Sequence, residues 1–212
     1  MAIFQDVANA VIGGDIERVK GLIKDLLDSG KDPLEIIEQG LIAGMDEVGV
    51  RFKAGEMFVP EVLMCAKTMA EGMSLIRPHL EGKDVKTHGT LLIGTVKSDL
   101  HDIGKNLVAM MVESAGFAVI NLGTDVSPEA FVKAIQEHKP DILGMSALLT
   151  TTLPFMKETI EAIKEAGLRD TVKIIVGGAP VTEEYARQIG ADGYAPDAGS
   201  AADLCKKLVG AN

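Results

Sequence analysis

The 212 residues include no tryptophan, two tyrosines, six phenylalanines and two cysteines. Cys65 and Cys205 lie far apart with no second Cys or His beside either, so neither a disulfide framework nor a zinc site is legible. A reducing compartment fits. No stretch reaches the roughly 18 uncharged apolar residues that a spanning helix needs, and MAIFQDVANAVIGGD has no basic flank ahead of its short apolar run. A membrane protein is not expected, and the expected location is the cytoplasm. Positive charge is also short: 21 Lys and Arg stand against 31 Asp and Glu, a net −10 spread evenly along the chain. No basic patch is left for nucleic-acid phosphates or an anionic membrane. Glycine (23) and methionine (10) are plentiful, which suits close backbone approach and adaptable apolar surfaces.

The first segment reads as helices only. Asp15 follows Gly13-Gly14 as an N-cap, with Val19, Leu22, Ile23, Leu26 and Leu27 at helical spacing. Asp32-Pro33 repeats the start signal, and Leu34, Ile37, Leu41, Met45 and Val48 continue one face. A third long helix is expected over about Pro60 to Pro78, with Val62, Ala66, Met69, Met73 and Ile76 as its stripe. Residues 1–80 are therefore expected to form a small helical bundle.

The polar run EGKDVKTH at 81–88 marks a linker, and beyond it the period changes. Apolar runs at 90–96, 118–122, 141–146 and 172–176 alternate with helical patterns near 104–115, 128–138, 153–166 and 182–189. A short strand about 192–195 and a helix at 200–209 complete the set. Residues 89–212 are expected to form a doubly wound, flavodoxin-like sheet of five parallel strands. Ligands on such sheets bind at the carboxyl ends of the strands, which directs attention to the segments after Val96, Met145, Val176 and Tyr194.

After the first strand stands Lys97-Ser98-Asp99-Leu100-His101-Asp102-Ile103-Gly104. In an extended loop Asp99 and His101 point the same way. A carboxylate on one imidazole nitrogen then fixes the tautomer that offers the other to a metal or a proton. The same pattern also describes a surface histidine near a helix start with Asp99 as its cap. One histidine cannot build a zinc site, but it can serve a metal already held by a macrocycle. After the third strand, residues 146–152 (SALLTTT) carry four hydroxyls, which suit either a buried polar ligand or a cap for the helix at Pro154. After the fourth, Gly177-Gly178 is expected to leave an unobstructed surface. Together the three loops describe a slot for an extended ligand ending near His101.

Other chemistries of this sheet edge lack their residues. Neither G-x-x-x-x-G-K-[ST] nor G-x-G-x-x-G follows the first strand. A phosphorelay receiver needs an acceptor Asp where Ser146 stands, and there is no G-x-S-x-G elbow.

The D-x-H-x-x-G of Asp99, His101 and Gly104, the 146–152 hydroxyl run and Gly177-Gly178 resemble the cobalamin-binding domain of methyltransferases. That domain occurs in cobalamin-dependent methionine synthase and in the small corrinoid proteins of methanogens and acetogens. The N-terminal part is similar to that family's helical cap through Gly44-Met45, Val48-Gly49, Phe52 and Gly55-Glu56-Met57-Phe58-Val59-Pro60-Glu61-Val62. Residues 190–198 (GADGYAPDA) also resemble the stand-alone members, so the likeness covers nearly the whole chain.

The resemblance implies a bound cobalamin or related corrinoid with His101 as axial ligand to cobalt. Asp99 accepts the histidine's hydrogen bond, and Thr152 continues the relay. Ser98, Asp102 and Gly104 belong to the same cofactor-binding loop. Ser146 and Thr150 contact a buried nucleotide tail, Gly177 and Gly178 leave room for it, and Tyr194 and Ala198 close its far side. Phe52, Val59, Val62 and Leu63 shield the upper face.

The implied function is a methyl carrier, with little turnover of its own, between a donor-specific methyltransferase and an acceptor methyltransferase using tetrahydrofolate or coenzyme M. A reductive activase is a further candidate partner. A cobalamin-binding sensor and the small subunit of a cobalamin-dependent mutase are the alternatives. The sensor is disfavoured because no DNA-binding or signalling segment is appended, the mutase subunit because it does not predict the cap motif.

Overall fold

A computed structural model describes residues 2–80 and 87–211, which fall into two compact units. The first is built from the chain up to Leu80 with Ser114–Gly116, the second from Thr87–Glu113 and from Phe117 onward. Of the expected 81–88 linker, residues 81–86 lie outside the described residues.

The first unit is helical throughout: α1 (Ala2–Ile12), α2 (Ile16–Asp28), α3 (Pro33–Ile36), a π-helical stretch (Ile37–Ile42), α4 (Ala43–Lys53), α5 (Val59–Ile76) and a 3₁₀ turn (Arg77–Leu80). Asp15 caps α2 by accepting from the Arg18 N–H at 3.0 Å, and Asp32 caps α3 by accepting from the Leu34 N–H at 3.2 Å. Both start signals act as the sequence predicts. Along α5, Val62, Ala66, Met69 and Ile76 are buried.

Two features depart from the sequence reading. The helix expected after Asp32 is interrupted by a π-helical stretch, a local widening that periodicity does not register. An additional helix, α1, carries the buried Phe4, Val7, Ala8 and Val11. Its apolar residues have no capping signal ahead of them, so nothing in the sequence marks its start. At the centre of the bundle α2 lies against α5. A Cβ on Gly72 would stand 2.8 Å from Ile23 Cδ1 and 3.0 Å from Leu41 Cδ2, so glycine sets how closely these helices approach.

The second unit is a five-stranded parallel sheet in the order β2-β1-β3-β4-β5. Its strands are β1 (Thr90–Thr95), β2 (Ala118–Asn121), β3 (Ile142–Ser146), β4 (Lys173–Gly177) and β5 (Gly193–Tyr194). The connecting helices are α6 (Ile103–Ser114), α7 (Pro128–His138), α8 (Leu153–Glu165) and α9 (Glu183–Ile189), and α10 (Ala198–Val209) ends the chain. The expected doubly wound architecture is present. Leu91, Leu92, Ile142 and Leu143 have no exposed surface, as continuous apolar strands covered on both faces require. Phe131 of α7 and Met156 and Ile160 of α8 pack with Leu92, Leu143 and Ile174 in one core cluster.

Strand order reverses between β1 and β3, which makes their carboxyl ends the topological switch point. There the register sets Thr95 beside Ser146 and Ser146 beside Gly177.

Candidate functional site

Asp99 is the hub of the switch point. Its carboxylate is fully buried, and each oxygen is used. Oδ1 accepts from the His101 N–H at 3.1 Å and pairs with His101 Nδ1 at 2.7 Å. Oδ2 accepts from the Leu148 N–H at 2.7 Å and the Thr152 hydroxyl at 2.8 Å, with the Leu149 N–H farther off at 3.4 Å. Burial pushes the carboxyl pKa up. The hydrogen bonds from the Leu148 amide, the His101 ring, the His101 amide and the Thr152 hydroxyl outweigh it and hold the group well below the usual carboxylate range. Asp99 is therefore a fixed anion at neutral pH.

The imidazole on this anion is half exposed, with 51% of its side-chain surface accessible. With its proton on Nδ1, toward Asp99, Nε2 keeps its lone pair. The Thr95 hydroxyl holds the loop from below by donating to the His101 carbonyl at 2.9 Å. The hydrogen bonds of Asp99 go to His101, Leu148, Leu149 and Thr152 and not to the first turn of α6, so the expected pair is present and Asp99 is not that helix's cap.

The capping reading of the hydroxyl run fails at Thr152. This residue occupies the N-cap position of α8 but makes no capping bond there, because its hydroxyl is turned to Asp99 and to the Leu149 carbonyl, 2.9 Å away. Ser146 is partly buried at the end of β3 and Thr150 is exposed in the following loop. Tyr194 is partly buried in β5, and Ala198 is buried in the first turn of α10. Ser98 and Asp102 flank the hub, both exposed; Asp102 accepts from the Asn106 side chain at 3.0 Å. A Cβ at Gly104 would meet open space.

The Gly177-Gly178 pair differs from expectation. A Cβ on Gly178 would lie 1.9 Å from the Ala147 carbonyl oxygen, and one on Gly177 would lie 2.9 Å from the Ala195 carbonyl oxygen. On the side where a Cβ would point, each glycine lies against neighbouring backbone, and at Gly178 this lets the loops after β3 and β4 touch. The first unit carries the four remaining expected residues: Phe52 and Val59 are partly buried, Val62 is fully buried and Leu63 is 42% exposed.

Sequence reasoning missed three contributors. Asp125 accepts from the Ser98 N–H at 2.7 Å. Lys105 is buried, with Nζ donating to Asn106 Oδ1 at 2.6 Å and Asn121 Oδ1 at 2.7 Å, and burial pushes its ammonium pKa down. The Leu148 amide is a backbone donor. Asp125 and Asn121 belong to the carboxyl end of β2 and its loop, which reach the segment after β1 only through the pairing of the two strands.

The donor set limits what the site can hold. Among the described residues no three His, Cys, Asp or Glu side chains gather as a metal site. Burial pushes the Cys205 thiol up to about 12 and raises that of Cys65, which leaves neither as a nucleophile. What remains is a single imidazole nitrogen on loops that expose Leu100, Ile103, Leu148 and Leu149. Covering such aliphatic side chains is favourable by roughly 1–2 kcal/mol each. One axial donor among apolar side chains fits a metal that brings its own equatorial ligands and a broad organic face, such as a corrinoid.

Comparison with known proteins agrees. Two B12 binding domain families match, one over residues 89–203 and one over residues 3–77. A corrinoid protein of Desulfitobacterium hafniense is 41% identical, with 99% of each chain covered. A trimethylamine corrinoid protein of Methanosarcina acetivorans is 44% identical over 97% of this chain and 95% of its own length. The methanol:cobalamin methyltransferase complex of Methanosarcina barkeri contains a chain that superposes with a TM-score of 0.87 at 30% identity, over all of this chain and 81% of that one. Among the described residues no helix is long and apolar enough to cross a membrane.

Proposed function

The chain belongs to the B12-binding corrinoid proteins, and from that premise we propose that it carries a methyl group on a bound corrinoid between a donor-specific methyltransferase and an acceptor methyltransferase. The observation that carries the proposal is the half-exposed imidazole of His101 locked onto the buried anion of Asp99. The corrinoid, when bound, supplies a cobalt centre that accepts and releases methyl groups. Everything else is done by the protein.

His101 would hold the cobalt through Nε2. Asp99 holds the proton on Nδ1 and so keeps Nε2 available, while Thr152 and the Leu148 amide hold Asp99. The exposed Leu100, Ile103, Leu148 and Leu149 would supply apolar contact to the bound group and keep water from it. Ser98, Asp102 and Gly104 complete that loop. Ser146, Thr150, Tyr194 and Ala198, spread over the ends of β3 and β5 and their loops, are assigned to the nucleotide tail, with Gly177 and Gly178 shaping the backbone between them. Phe52, Val59, Val62 and Leu63 are assigned to shielding the bound group, with residues 1–80 read as the cap, 81–88 as the linker and 89–212 as the corrinoid-binding part. The protein would work in the cytoplasm with little turnover alone, and a reductive activase is a further candidate partner.

Relatives of similar length are corrinoid proteins matched along nearly their whole chains, which favours the carrier over a sensor or a mutase subunit. The test is uptake and turnover. The chain incubated with aquacobalamin is expected to retain about one corrinoid per chain through gel filtration. After reduction, it is expected to be methylated only when a donor methyltransferase and its methylamine or methanol substrate are added, followed by absorption. No retained corrinoid removes the proposal, and methylation without any partner removes the carrier role.

A further inference from the structure

The pairing between β1 and the chain after β2 continues past Asn121. The Leu122 N–H donates to the Ile93 carbonyl, the Thr95 N–H to the Gly123 carbonyl and the Val126 N–H to the Thr95 carbonyl, at 2.8, 3.0 and 3.0 Å. A parallel bridge joins Val96 to Val126. Beyond Val96 the chain turns toward His101 and regular pairing ends. Asp125 takes over at that point with two bonds: its N–H donates to the Asp99 carbonyl at 3.0 Å, and its Oδ1 accepts from the Ser98 N–H at 2.7 Å.

Both partners lie in the left-handed region, Ser98 with φ 63° and Asp125 with φ 54°. Aspartate tolerates that conformation better than most residues, whereas a serine remains in it only where its surroundings hold it. The Asp125 carboxylate on the Ser98 N–H supplies such a hold. Ser98 immediately precedes Asp99, which carries the His101 imidazole.

We propose that Asp125 is a positioning residue for the axial histidine: it fixes the left-handed turn at Ser98, and so presents Asp99 and His101 in ligating posture before the corrinoid arrives. The inference rests on the corrinoid reading above. Asp125 acts through Ser98 and Asp99 and touches no reacting group. A preorganised loop spares binding the ordering of its residues, and without the clamp part of the binding energy goes into building the turn.

The test uses the full chain with ¹⁵N-labelled histidine and cob(II)alamin as probe, comparing wild type with Asp125→Ala and Asp125→Asn. Coordination by a ¹⁵N-histidine splits the cobalt(II) paramagnetic resonance into doublets where a natural-abundance nitrogen gives triplets, which separates His101 from the cofactor's own base. Asp125→Ala is expected to shift the ratio of His-coordinated to uncoordinated bound corrinoid about tenfold toward the latter, the effect of losing one hydrogen bond to a charged group. In the corrinoid-free protein its 97–101 amides are expected to exchange about tenfold faster. Asp125→Asn keeps a side-chain oxygen and tolerates the left-handed φ, so it is expected to stay within about twofold of wild type. An unchanged coordination ratio in Asp125→Ala, even with a lower melting temperature, overturns the inference and leaves the methyl-carrier reading standing. Wild-type protein that retains no cob(II)alamin overturns both.

Discussion

Asp99 and Thr152 stand 53 residues apart in the chain and meet at 2.8 Å, with hardly any exposed surface on either. Through this contact the loop after β1 and the loop after β3 share one buried carboxylate, and whatever moves one loop is felt by the histidine on the other.

Replacing the proposed ligand separates binding from coordination. His101→Ala is expected to retain corrinoid through the remaining loop and tail contacts while losing the His-coordinated absorption of the methyl form, and added imidazole is expected to restore part of it. Identical spectra for the variant and wild type would sink the axial assignment.

The Thr152 hydroxyl makes a charge-assisted bond. Thr152→Val keeps the shape and removes the donor, and is expected to lower unfolding free energy by about 1.5–3 kcal/mol, while Thr152→Ser is expected to recover most of that. Urea titration of the two variants measures the difference. Equal stabilities for Val and Ser would mean that the hydroxyl adds no net stability at this position.

Gly178→Ala tests the contact between the loops after β3 and β4. The new methyl group would fall 1.9 Å from the Ala147 oxygen, on a residue with φ 124°. Neither relaxation is cheap, since one partner is backbone and the conformation is strained for any L side chain. A loss of at least about 2 kcal/mol is expected, measured by thermal and urea unfolding. Wild-type stability would show that the Ala147 loop yields freely.

Acid stability follows from the sign of the Asp99 shift. Its folded pKa is depressed below that of the unfolded chain, about 3.9, so the unfolded state binds protons first as pH falls. The stabilisation is complete above that value and declines below it. Asp99→Asn is expected to be less stable at neutral pH, because one of its side-chain positions becomes a donor facing donors, and to show a shallower loss of stability between about pH 4 and 2. Parallel acid-unfolding curves for the two proteins would contradict the assignment of that slope to Asp99.

The legible parts of the molecule were those written in side-chain type. Buried strands announce themselves as apolar runs, and Leu91, Leu92, Ile142 and Leu143 sit where those runs place them. Asp99 and His101 were legible because two residues on one loop need no tertiary information to pair. Asp125 was not, since its partner Ser98 is 27 positions away and becomes a neighbour only because β2 lies beside β1. The Leu148 amide on Asp99 carries no side-chain signature at all. Gly177-Gly178 was legible as small, but a small residue leaves space for ligand or for backbone alike, and here the backbone of Ala147 and Ala195 occupies it.

The partners of the Asp99 carboxylate are drawn from two strand ends that are adjacent only in the finished parallel sheet. Parallel pairing needs a crossover, so these contacts close a long stretch of chain. No fragment ending before Thr152 contains the hub in full. The complete set of bonds that holds the Asp99 carboxylate therefore exists only once the third strand lies beside the first.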